Sequence, residues 1–150
     1  MCVSSSEGPA MEGLKWVRFP KRCDYTDYIY MEKNNWDACM FCPKRDILFM
    51  GFGLLGNFNG HDMTYIVNWK IGDEEFSEDH EISYSNDELD PEKKSFTIDI
   101  RTLGEKYVVV EKDKEIIVRA KIKMDGDDSS KRKVFYGHSG YQNHYSKIEG

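Results

Sequence analysis

The chain lacks the features that mark several of the simpler functional classes. Its longest apolar run, Ile47 to Leu55, has nine residues, where a helix crossing a bilayer needs about 20. An excess of positive charge is missing too. With 21 Lys and Arg against 27 Asp and Glu the net charge is −6, and no basic stripe is visible, which argues against nucleic acid as a partner. The first ten residues, Met-Cys-Val-Ser-Ser-Ser-Glu-Gly-Pro-Ala, have neither the cationic start nor the apolar centre of a secretory signal. Four cysteines in 150 residues make no spaced disulfide framework, which fits a reducing compartment. No stretch repeats apolar residues at i, i+3 and i+4 between caps, so no amphipathic helix is expected. No internal repeat points to a solenoid or propeller. These absences leave a soluble, cytoplasmic protein with no membrane partner.

What is present favours strands. The 20 aromatic residues, set against 39% apolar and 32% charged residues, are enough for one domain with a sizeable core. Residues 1–13 are small, polar and broken by Gly8, Pro9 and Gly13, and read as a flexible lead-in; residues 14–150 read as the domain. Met63, Tyr65, Val67, Trp69 and Ile71 alternate with Thr64, Ile66, Asn68 and Lys70 and share one strand face. The same period of two recurs in Phe96, Ile98 and Ile100, and in Ile116, Val118, Ala120 and Ile122. Shorter candidates are 14–19, 28–31, 81–85, 107–110 and 133–136. Trp36 to Cys42 and Ile47 to Leu55 flank Pro43-Lys44-Arg45-Asp46, and the turn chemistry predicts a hairpin. Many short strands with turns between them predict an all-β antiparallel sandwich.

Strict alternation would put Ile47, Phe49 and Leu55 on one face of their strand and Leu48, Met50, Phe52 and Leu54 on the other. Both faces are then apolar, and a loop or another protein must cover the outer one. Between Gly72 and Glu92 the chain carries ten acidic residues and no Lys or Arg. That is the pattern of a solvated loop or edge, with an electrostatic docking surface for a basic partner as the alternative.

Three motifs suggest chemistry and fail on context. Gly51, Gly53 and Gly56 spell G-x-G-x-x-G, but a dinucleotide site needs a helix next. Here Asn57-Phe58-Asn59-Gly60 follows, and then a strand. The glycines instead mark a bulge, a bend or a close backbone approach. No cofactor is expected. Cys39 and Cys42 form a C-x-x-C and support an alternative reading as a small thiol-redox or metal-binding protein. In an extended strand, however, residues three apart face opposite ways and sit about 10 Å apart, beyond disulfide reach. Gly137-His138-Ser139-Gly140 lacks the residue that a nucleophile elbow requires between serine and the second glycine. No catalytic or metal-ligating residue is expected.

The order of these residues resembles a known family. Arg18-Phe19, Trp36-Asp37-Ala38-Cys39-Met40-Phe41, Arg45-Asp46-Ile47, the Gly51 to Gly56 block and Tyr65-Ile66-Val67 are similar to the recurring line of the PHR domain. That domain is named after PAM, Highwire and a nematode relative, and occurs also in BTB-BACK proteins. Val118 to Ile122 and Lys133 to Gly137 resemble its later strands. The resemblance implies an antiparallel β-sandwich without catalytic residues of its own. It implies recognition of a protein partner: a ubiquitin-ligase substrate or a component of a cullin-type ligase. Relative to the family's usual line, the final strand or strands are expected to be missing. Loops on a rigid sandwich carry binding, and exposed aromatic side chains anchor it. The candidate partner-binding residues are therefore Phe58 and His61 after the glycine strand, and Tyr141 and His144 in the tail.

Overall fold

The computed structural model describes residues 2–3, 14–15, 28–31, 35–91, 94–124, 126 and 129–135. These run through eleven strands: β1 (Cys2–Val3), β2 (Leu14–Lys15), β3 (Tyr28–Tyr30), β4 (Asp37–Phe41), β5 (Ile47–Leu55), β6 (Met63–Ile71), β7 (His80–Tyr84), β8 (Ser95–Asp99), β9 (Val108–Val110), β10 (Ile116–Ile122) and β11 (Lys133–Phe135). Among the described residues the only helical pieces are three short 3-10 turns, and no helix is long and apolar enough to cross a membrane. All strand pairs are antiparallel.

Two sheets face each other across one core, as the alternation predicted. The first has the order β4-β10-β6-β7, and the second is centred on β5. On one edge β5 pairs β1; on the other it pairs β9 along Ile47 to Phe49 and β8 along Gly51 to Leu55. A small third sheet joins β3 and β11. The five residues assigned to one face of β6 are all buried. Trp69 meets Phe49 and Phe52 of the opposite sheet edge-on, with ring centroids 6.2 and 5.9 Å away. Each such pair contributes about 0.5–1.5 kcal/mol beyond its buried area. The acidic stretch forms turns around β7, which is an edge strand. β1 falls within residues 1–13.

Two expectations are corrected. β4 and β5 are not a hairpin: β4 pairs β10 and β5 pairs β9, in different sheets. The residues between them cross from sheet to sheet beside the β9–β10 connection, which crosses the other way. The two connections are stitched together by the Asp113 amide donating to the Pro43 carbonyl at 2.9 Å and the Lys112 amide donating to the Asp46 carboxylate at 2.8 Å. Turn chemistry reports a change of direction and not the sheet in which the chain continues.

The faces of β5 also differ from strict alternation. Cys2 is opposite Gly51 while Val3 is opposite Phe49, so Met50 is an extra residue, a β-bulge that reverses the parity beyond it. Phe52 and Leu54 thereby join Ile47 and Phe49 against the core, where Leu55 at the strand's end also packs, and Leu48 and Met50 do not belong to that cluster. Gly51, beside the bulge, is required by close approach. A Cβ there would fall on the Ile98 carbonyl of β8, and one at Gly56 on the Leu89 side chain.

Candidate functional site

The glycine block ends in a loop that is firmly held. Asn57, almost wholly buried, uses both ends of its side-chain amide. Its Nδ2 donates to the carbonyls of Ser130 and Lys131 at 3.2 and 3.1 Å, and its Oδ1 accepts from the amides of Asn59 and His61 at 2.8 and 3.3 Å. Asn57 also bridges Val134 in the backbone, the Phe58 amide donates to the Lys133 carbonyl at 2.8 Å, and the Gly56 amide to the Lys94 carbonyl at 2.9 Å. A buried amide that meets four partners is costly to disturb. The loop 56–62 is therefore a shaped part of the surface, seated on the 3-10 turn Ser129–Arg132 and on β11.

Phe58 and His61 lie together on this loop, both half-buried. His61 Nε2 is 3.2 Å from the Ser130 hydroxyl, a contact in which either group can donate depending on the imidazole tautomer. Tyr141 and His144 lie outside the described residues. Tyr30 belongs to the same end of the sandwich through the β3–β11 register, which puts it opposite Lys133. It is 48% exposed, and the Arg132 and Lys133 cations sit 5.8 and 5.7 Å from its ring centre. The sequence predicts a short strand over Tyr28 to Met31, but its partner follows more than 100 residues later, so nothing local marks Tyr30.

Behind the loop stands an aromatic group. Tyr84 lies 3.7 Å from Phe96, centroid to centroid, and Tyr65 stacks on both at 6.4 and 6.2 Å. The Tyr65 hydroxyl donates to the Leu55 carbonyl at 3.0 Å. Burial pushes the Tyr65 phenol well above its ordinary range, with the neighbouring Tyr84 adding to the effect. Burial likewise raises Tyr84, whose hydroxyl faces the Asn57 backbone without completing a hydrogen bond.

The other motifs sit elsewhere. The three glycines run through β5 and into the loop, and the next regular element is β6 rather than a helix. Cys39 is half-buried in β4, Cys42 is exposed just past its end, and neither is in a disulfide. Among the described residues no three His, Cys, Asp or Glu side chains are grouped as metal ligands would be.

A family model described as the PHR domain matches residues 18–146. No curated protein and no solved structure matches the chain.

Proposed function

The chain belongs to the PHR domain family, and we propose on that premise that it is a non-catalytic recognition module whose partner is a ubiquitin-ligase substrate or a component of a cullin-type ligase. The match across residues 18–146 carries this reading, since PHR domains are associated with protein interaction and with ligase-related proteins. The held loop supports a location for it. Phe58 and His61 are offered on backbone fixed by Asn57, so little conformational freedom is lost when a partner settles there. Tyr141 and His144 complete the proposed contact set.

Affinity purification from native lysate tests the reading. A cullin, or a protein whose ubiquitylation depends on this chain, is expected among the partners of the wild type and depleted with Phe58→Ala and Tyr141→Ala. Recovery of such partners unchanged by both variants places recognition elsewhere, and a partner set without ligase components or substrates overturns the ligase reading.

A further inference from the structure

The outer face of the β4-β10-β6 sheet carries an arrangement that the loop reading does not use. Three cross-strand rows run over it: Met40, Ile117 and Lys70; then Ala38, Arg119 and Asn68; then Lys121 and Ile66, with Trp36 just before β4 at the row's end. Arg119 is at the centre. Its guanidinium carbon lies 4.3 Å from the Trp36 ring centre and 3.7 Å from that of Phe76. Its Nε donates to the Asn68 carbonyl oxygen at 2.6 Å, and the almost wholly buried Asn68 donates to Asp79 at 2.7 Å.

A guanidinium is planar and has five N–H donors. With aromatic rings on its faces and Asn68 on Nε, Arg119 keeps its terminal nitrogens as the edge able to meet a ligand. Flanking it, the Lys121 ammonium lies 4.5 Å from the Trp36 ring centre and that of Lys70 5.3 Å from Phe76. Among the described residues none of these three cations forms an ion pair with a carboxylate. These three cations share one face of a chain whose net charge is −6, with Glu81 of β7 opposite Ile66 at the far end of the Lys121 row and paired with Lys123. Next to the cations Met40 is 57% exposed, above the half-buried Ile117.

We propose that this face docks an acidic peptide segment of another protein, with carboxylates on Arg119, Lys121 and Lys70 and an aliphatic side chain on Met40 and Ile117. Aromatic rings hold the cations in place without cancelling their charge. Planar Arg is suited to bidentate carboxylate contact, and Arg, Trp and Met are enriched where proteins meet. Single-stranded nucleic acid fits the face less well, because Trp36 and Phe76 each commit a ring face to Arg119 rather than offering it to a base. Along β6, Lys70 lies roughly 20 Å from the loop end of that strand, and Ile66, opposite Lys121, roughly 10 Å.

The test measures fluorescence anisotropy of the full chain with a labelled peptide, Gly-Asp-Glu-Leu-Glu-Asp-Leu-Gly, against the same peptide carrying Asn and Gln in place of Asp and Glu. The acidic peptide is expected to bind at least about tenfold more tightly, and to weaken as salt is raised. The double variant Lys70→Glu/Lys121→Glu, and separately Met40→Glu, should each lose about tenfold or more for that peptide while melting like the wild type. Phe58→Ala should bind it unchanged, which separates this surface from the loop. Equal affinity for the two peptides, no binding of the acidic one, binding that survives charge reversal, or preference for a single-stranded oligonucleotide each overturns the proposal.

Discussion

Phe49 and Phe52, three residues apart in one strand, both pack against Trp69. Only an odd residue between them allows this, and Met50 supplies it. The bulge sits beside Gly51, where β8 passes too close for a side chain. Gly51→Ala should therefore destabilise strongly, by about 2–4 kcal/mol, since backbone must move. Gly53→Ala is the control: a Cβ there would sit 3.4 Å from the Phe96 carbonyl, and the loss should stay within about 1 kcal/mol. Thermal melts of both variants check the contrast.

Asn57→Ala removes four hydrogen bonds from a buried position. It leaves two carbonyls and two amides to find other partners, at an expected cost of about 2–4 kcal/mol. Hydrogen exchange should quicken at the Asn59 and His61 amides before it does in β6. Protection unchanged at both would show that the loop is held by something else.

The strands were largely legible in the sequence and their partners were not. β6 and β10 follow from alternation alone, because each shows one face to the core. β5 has the extent its sequence predicts and β4 is one residue shorter at each end, but their relationship differs, since a Pro-Lys-Arg-Asp turn reads alike whether the chain folds back or changes sheet. The parity of β5 was hidden because a bulge leaves no mark in a strand that is apolar throughout. The loop residues Phe58 and His61 could be picked from glycine and asparagine density, which announces irregular backbone. Tyr30 and the Trp36–Arg119–Phe76 stack could not, because each needs the register of strands distant in sequence.

Two buried tyrosines should respond in opposite ways to loss of a hydroxyl. Tyr65→Phe gives up the bond to the Leu55 carbonyl and should cost about 1–2 kcal/mol. Tyr84→Phe removes a hydroxyl without a hydrogen-bond partner and should be neutral or stabilising by up to about 1 kcal/mol. Denaturant titration of the two variants distinguishes them.

Alkaline pH should act through the same pair. Burial raises both phenols in the folded state, whereas in the unfolded chain they titrate near pH 10. The unfolded state then releases protons first, so the stability held below about pH 10 declines as pH rises beyond it toward the folded-state values. Tyrosinate absorbance should appear in step with loss of the fold for these two residues. Their ionisation in a chain that stays folded near pH 10 would contradict the burial described.

The proposed recognition of a protein through the held loop of a PHR domain rests on Phe58 and His61. Titration calorimetry of a purified partner against wild type, Phe58→Ala and His61→Ala, all confirmed folded by melting, tests it most directly. At least about tenfold weaker binding is expected for Phe58→Ala, a loss typical of an anchoring aromatic, and a smaller loss for His61→Ala. Affinities equal to wild type in both variants would contradict it.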